Sequence, residues 1–183
     1  MKEFIEELKW RGMLHDVIPG VEEYLSKNKT IGYIGFDPTS DSLHIGSLVP
    51  IFILKHFQNA GHTPVVLLGG ATGMIGDPSG KSDERNLLDK KVLDFNEKKL
   101  TKQFEKFLDF KSNKLNKAIL VNNYNWMKKL SIIDFSRDIG KHIKVNYMMA
   151  KEFSKKRISK DTTQGMTFTE INYEHRSISK INW

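Results

Sequence analysis

The sequence predicts an α/β protein built on an open parallel sheet, and three observations carry that prediction. Residues 63–70, TPVVLLGG, form the compact apolar run that a parallel strand buried on both faces requires. Residues 30–37, TIGYIGFD, are rich in strand formers and stop at Pro38. Residues 117–123, KAILVNN, repeat the buried-strand pattern, and long amphipathic stretches separate the three runs.

In chain order, residues 2–10 and 21–26 carry apolar side chains at helical spacing, punctuated by Gly20 and Asn28, and are expected to be short helices. After the first strand, the segment from Gly46 to Ala60 sets Leu48, Ile51, Phe52, Leu54 and Phe57 along one broad helical face. Gly61 leads straight into the strand at 63–70, so a single right-handed crossover joins the two strands. Residues 91–109 place Val92, Phe95, Leu100, Phe104, Phe107 and Leu108 among charged residues, which predicts a long amphipathic helix. The third strand follows, then helices over 132–139 and 143–153 and a polar, lysine-rich loop from Lys155 to Gln164. This alternation predicts a Rossmann-like parallel sheet with flanking helices. The sequence contains no internal repeat or low-complexity block.

With 183 residues the chain can bury a real core. Lys and Arg outnumber Asp and Glu 29 to 22, and the net charge of +7 suits an anionic partner such as a nucleotide, tRNA or another polyphosphate. Scattered pairs such as Lys90 with Lys91 and Lys128 with Lys129 suit a solvated surface equally well. The absence of cysteine excludes disulfide scaffolds, cysteine zinc sites and thiol nucleophiles. The opening MKEFIEELKWRG is charged throughout and resembles neither a signal peptide nor a membrane span, so a cytoplasmic location is expected.

In sheets of this type a ligand sits beyond the carboxyl ends of the strands, and two unusual segments fall there. The first is FDPTSDSLHIGSL, residues 36–48. A glycine at a helix start lets backbone amides approach an anion, and His44 beside Gly46 either donates a hydrogen bond to a phosphate or packs at the surface while Asp41 or Ser42 caps the helix. The second is GGATGMIGDPSGKS, residues 69–82, in which six glycines or prolines among fourteen residues predict a sharply turning loop. Its GKS fails as a P-loop, because three residues rather than four separate Gly76 from Gly80. ATGMIG likewise misses the dinucleotide fingerprint, since Ala71 stands where the first glycine belongs.

YIGFDPTSDSLHIGSL followed by GHTPVVLLGGATGMIGDPSGKSDER, VNNYNW, RDIGKHIKVNYMMAK and GMTFTEINY resembles bacterial tyrosyl-tRNA synthetases in order and spacing, over about residues 1–173. HIGS then looks like that family's form of the class I HIGH signature. The resemblance implies the N-terminal part of a Rossmann-type catalytic domain over 1–173, an incomplete sheet, and a divergent tail over 174–183 expected to be disordered. It implies ATP-dependent activation of L-tyrosine to tyrosyl-adenylate followed by transfer to tRNA(Tyr). ATP is a substrate accompanied by Mg2+, with no tightly bound cofactor and no metal site of the protein's own. Family members are homodimers, with residues from Ile139 to Phe168 near the interface, and no membrane partner is implied.

By the same resemblance, His44 and Gly46 contact the ATP phosphates and nucleotide, Asp37 and Thr39 line that pocket, and Gly35 lets the nucleotide lie against the strand end. Tyr33 bonds the substrate phenol; Thr72, Asp77 and Tyr173 hold the substrate ammonium; Lys81 and Arg85 reach the pyrophosphate. Tyr33 and GGATGMIGDPSGKSDER favour the tyrosyl over the neighbouring tryptophanyl branch.

Two departures stand out. Ser47 replaces the second histidine of the signature, keeping a hydrogen-bond donor but no charge. After Tyr173 the family's glutamine and aspartate positions hold Ser177 and Lys180, and no GSDQW or KMSKS segment follows. The expectation is a fragment whose last ten or so residues derive from an altered reading frame or an early stop, with little catalytic activity by itself. A non-catalytic nucleotide-binding remnant is the alternative.

Overall fold

A computed structural model of the chain describes residues 3–75, 88–150 and 155. Its α/β class and Rossmann-like parallel arrangement agree with the sequence prediction. Strands β1 (Ile31–Phe36), β2 (Thr63–Leu68) and β3 (Ile119–Asn122) form one sheet in the order β1-β2-β3. β1 and β2 are parallel, in a register that runs from Ile31 opposite Thr63 to Phe36 opposite Leu68. The described residues fall into two compact units, 1–68 with 94–121, and 69–93 with 122–183.

In the first unit the burial of β1 and β2 follows their sequences, whereas β3, expected to be a buried strand, is only half-buried, with Leu120 36% exposed. β2 is buried over Pro64–Leu68, as an all-apolar run demands. β1 alternates instead: Ile31, Tyr33 and Gly35 are exposed, while Ile34 and Phe36 turn toward the core. Gly32 shares that inner face because the Phe57 ring lies on it; a Cβ there would fall 2.9 Å from Phe57 Cζ. The connecting helix α3 (Leu48–Asn59) buries Ile51, Leu54 and Phe57. Ile51 and Leu54 join Phe36, Val66, Leu68, Leu100, Phe104 and Leu108 around one core. Phe52, expected on the inner face, is 41% exposed and meets Phe107 edge-to-face, with ring centroids 5.9 Å apart.

Two short helices precede the sheet, α1 (Phe4–Trp10) and α2 (Val21–Lys27), close to the expected spans. Phe4 meets Phe57 edge-on, and Phe57 stacks on His62 at 4.5 Å. His62 is buried, and its Nδ1 accepts the Thr30 N–H at 3.4 Å just ahead of β1. Burial, reinforced by the Lys29 ammonium, holds the His62 pKa below the ordinary histidine value.

Helix α5 (Lys90–Phe104) is shorter than the 91–109 expected, and its phase differs at the N-terminal end. Leu93, Asn96, Leu100 and Phe104 are its buried stripe, whereas Val92 and Phe95 are exposed, with Lys99 Nζ 5.2 Å from the Phe95 ring centroid. Beyond it, the buried Gln58 side chain pairs with the backbone of Asp109. Its Nε2 donates to Asp109 O at 2.9 Å and its Oε1 accepts Asp109 N–H at 3.0 Å. Asn116 answers by donating to Gln58 O at 2.8 Å, so polar residues fix the entry to β3.

In the second unit the glycine-rich segment departs from expectation. Residues Gly70–Ile75 form a helix, α4, rather than a loop, which also ends β2 at Leu68 instead of residue 70. A short helix absent from the sequence prediction, α6 (Tyr124–Met127), follows β3. The helix expected over 132–139 starts as α7 (Ile132–Asp134), capped by Ser131 Oγ accepting Asp134 N–H at 3.0 Å. It widens into a π-helical turn over Phe135–Ile139 and a 3-10 turn over Gly140–His142. α8 (Val145–Ala150) lies within the predicted 143–153 span, and Lys155, expected to open a loop, is helical. The predicted loop beyond it and the 174–183 tail lie outside the described residues. Among the described residues no helix is long and apolar enough to cross a membrane.

Candidate functional site

The segment between β1 and α3 has little regular structure, so its shape depends on where its backbone groups find partners. Asp37 is half-buried at the strand end, and its carbonyl accepts the Thr39 N–H at 2.9 Å. Pro38 is fully buried and cannot donate; its carbonyl takes a hydrogen bond from Asn96 Nδ2 at 2.9 Å. At the far end, Leu43 N–H donates to Gln103 Oε1 at 3.1 Å, while Gln103 Nε2 approaches Ser42 Oγ at 3.4 Å.

His44 then opens a 3-10 turn, Ile45–Ser47, that runs into α3. Its backbone is extended, and its Nδ1 accepts Gly46 N–H at 3.1 Å. The cap of this helix start is therefore His44 itself, and not Asp41 or Ser42 as the sequence suggests. Gly46 has a steric reason to be glycine, since a Cβ would lie 2.9 Å from His44 Cε1. With Nδ1 occupied as acceptor, a neutral imidazole carries its proton on Nε2 and remains a donor there. Ser47 precedes α3 without a side-chain capping bond.

Tyr33 and Gly35 share the exposed face of β1, and no atom lies within 4 Å of a Cβ built on Gly35. Gly35, Asp37, Thr39, His44, Gly46 and Ser47 thus follow one another along a single continuous segment at the carboxyl end of β1. Along it the Gly35 backbone is open and the His44 imidazole is exposed.

Thr72 belongs to the second unit, where α4 is pinned by one side chain that sequence reasoning missed. Asn123, fully buried, accepts Ala71 N–H on its Oδ1 at 2.7 Å and donates from Nδ2 to Thr72 Oγ1 at 3.3 Å. The signal was available only as the polar pair Asn122-Asn123 at the end of an apolar strand. Beside it, Ala71, Met74, Tyr124, Met127, Leu130 and Phe135 line a cavity of about 410 Å³. Lys90 and Lys128 place their ammonium groups 5.0 and 5.3 Å from the Tyr124 ring centroid. Asp77, Lys81, Arg85 and Tyr173 lie outside the described residues. Among the described residues, no three His, Asp or Glu side chains are grouped so as to hold a metal ion.

Comparison with known proteins agrees with this fold. The family described as tRNA synthetases class I (W and Y) matches residues 25–175. A tyrosine-tRNA ligase of Bacteroides fragilis is 58% identical over 171 residues, covering 93% of this chain and 40% of that protein. One from Parabacteroides distasonis is 61% identical over the same length and shares. Among solved structures, a C-terminally truncated mitochondrial tyrosyl-tRNA synthetase of Aspergillus nidulans superposes with a TM-score of 0.83 at 28% identity, covering 96% of this chain and 52% of that one. The chain spans about 40% of the length of the curated relatives it matches.

Proposed function

We propose a function that starts from family membership: the chain belongs to the class I tRNA synthetases (W and Y). It supplies the part of a tyrosine-tRNA ligase that binds ATP and L-tyrosine and forms tyrosyl-adenylate. Relatives 58% and 61% identical, both tyrosine-tRNA ligases, support the tyrosyl branch.

In this reaction a carboxylate oxygen of tyrosine attacks the α-phosphorus of ATP in line. The new oxygen-phosphorus bond forms as the bond to the bridging oxygen breaks, and pyrophosphate leaves with the electron pair. The attacking carboxylate is already ionised near neutral pH, so no general base is needed. What the protein provides is position and charge stabilisation.

His44 and Gly46 meet the phosphates, with Ser47 as a further donor; Gly35, Asp37 and Thr39 line the nucleotide pocket. Tyr33 takes the phenol, and Thr72, Asp77 and Tyr173 take the ammonium. Lys81 and Arg85 stabilise the departing pyrophosphate. Mg2+ entering with ATP would supply charge neutralisation at the phosphates. Residues 1–173 form this part of the catalytic domain. Transfer to tRNA(Tyr), pairing with a second copy through the region Ile139 to Phe168, and a cytoplasmic setting complete the reading.

One observation carries it. His44 Nδ1 accepts the Gly46 N–H, which commits the imidazole to donate from Nε2 at the mouth of an open strand end. The test is calorimetric titration of the chain with ATP. Saturable binding that weakens about tenfold or more in His44→Ala is expected, the worth of one hydrogen bond to a charged group. Absence of saturable binding to the wild-type chain overturns the reading.

A second reading is nucleotide binding without turnover. Tyrosine-dependent exchange of pyrophosphate into ATP separates the two. ATP binding with no exchange assigns the chain to the second reading.

A further inference from the structure

We propose that Asn96 and Gln103, seven residues apart on α5, are positioning residues that hold the 37–44 segment in the shape the nucleotide meets; this rests on the functional reading above. Seven residues are nearly two helical turns, so both amides lie on one face, roughly 10 Å apart along the axis. From that face Asn96 grips the Pro38 carbonyl at 2.9 Å and Gln103 grips the Leu43 N–H at 3.1 Å. One rigid helix therefore clamps both ends of an otherwise irregular segment. The helix itself is fixed by Leu100 and Phe104, which are 1% and 0% exposed in the core.

The residue types argue against a role in packing alone. Asn96 is 4% exposed, in a helical stripe where leucine would pack better and asparagine is a poorer helix former. Its amide is tolerable there only because it is hydrogen-bonded, and what it bonds is the segment at the strand end. Gln103 uses both ends of its amide, one on Leu43 and one toward Ser42 Oγ. The residue after Leu43 is His44, whose ring position depends on the turn that begins there. Releasing Leu43 loosens the start of that turn without touching any residue placed against the nucleotide.

Gln103→Ala, Gln103→Glu and Asn96→Ala in the full chain test this by two readouts, amide hydrogen exchange without ligand and ATP affinity by calorimetry. Gln103→Ala is expected to speed exchange at Leu43 and to weaken ATP binding, each about tenfold, while the thermal midpoint stays near wild type. Gln103→Glu restores slow exchange at Leu43, because a carboxylate oxygen still accepts that N–H. Because Asn96→Ala also removes a buried partner and can unfold the chain, the Gln103 pair decides the question.

Unchanged exchange at Leu43 in Gln103→Ala overturns the clamp. Faster exchange with unchanged ATP affinity overturns its role in positioning. A wild-type chain that binds no ATP overturns the functional reading and the nucleotide part of this proposal, and the exchange data then judge the clamp separately.

Discussion

The segment after β1 and the segment after β2 solve the same problem in different ways. Each must turn the chain at the carboxyl end of a strand, where backbone groups lose their sheet partners. After β1 the chain stays irregular, and its N–H and C=O groups are taken up by Asn96 and Gln103, some 60 residues further on. After β2 the chain satisfies itself by closing into α4, and Asn123 supplies the one acceptor that the Ala71 N–H needs. A segment shaped from outside can keep an open surface, as over Gly35 and at the exposed His44. A segment that folds on itself buries polar side chains, and Thr72 is 2% exposed.

The largest expected effect comes from removing what fixes the external scaffold. Phe104→Ala deletes a fully buried ring that packs on Phe36 at a centroid distance of 4.8 Å. A loss of about 3–5 kcal/mol is expected in urea unfolding. If the comparison holds, exchange at Leu43 rises with it, since the clamp rides on the same helix; a loss below about 1 kcal/mol would falsify the assignment of Phe104 to the core.

Next in size is Asn123→Ala in the second unit. It strips a buried acceptor from Ala71 N–H and a buried donor from Thr72, at a cost of about 2 kcal/mol. Exchange is expected to quicken at Ala71 and to stay unchanged at Leu43. Equal quickening at both amides would erase the distinction between the two segments.

How legible these two segments were follows from what stabilises each. β2 reads directly over TPVVLL, the apolar run that a strand buried on both faces requires, though the two glycines after it lie outside the strand. The faces of α3 and α5 read only in part: Phe52, Val92 and Phe95 are apolar yet exposed, since several apolar residues per turn leave the phase of the helix undetermined. Asn96, Gln103 and Asn123 were invisible for the opposite reason. A pattern that sorts residues by hydrophobicity places amides on the surface, whereas here they are the connectors between distant segments. His44 and Gly46 were singled out by their motif, but the bond between them, which makes His44 its own cap, appears only in three dimensions. The helix over Gly70–Ile75 was hidden by its glycines, whose low helix propensity is overridden by the buried Asn123 contact.

A smaller effect is expected from Gly46→Ala. The new methyl would sit 2.9 Å from His44 Cε1, and the exposed imidazole is the part that yields. Stability should change by no more than about 0.5 kcal/mol, while the His44 ring resonances shift and ATP affinity falls. A variant with wild-type ring resonances would show that Gly46 is not needed for the close approach.

The smallest expected effect is a pH dependence in the first unit. His62 has its pKa lowered by burial and by Lys29; His56 is lowered by burial and Arg11, against the opposing pull of Glu7. Because both folded values lie below the ordinary 6.5, the unfolded chain takes up these protons first as pH falls. Their contribution to stability is therefore complete above that pH and is lost progressively as pH drops through it toward the folded values. Protonation of His62 also places a hydrogen on the Nδ1 that accepts Thr30 N–H, so the entry to β1 is where the loosening begins. Urea midpoints between pH 7.5 and 5.5 should fall in the wild type and fall less in His62→Phe, which keeps an aromatic ring against Phe57 but cannot titrate. Over the same range, exchange beyond the intrinsic pH effect should quicken at Thr30 and not at Ala71. Identical pH slopes for the two proteins would remove His62 from the account and leave His56 to carry it.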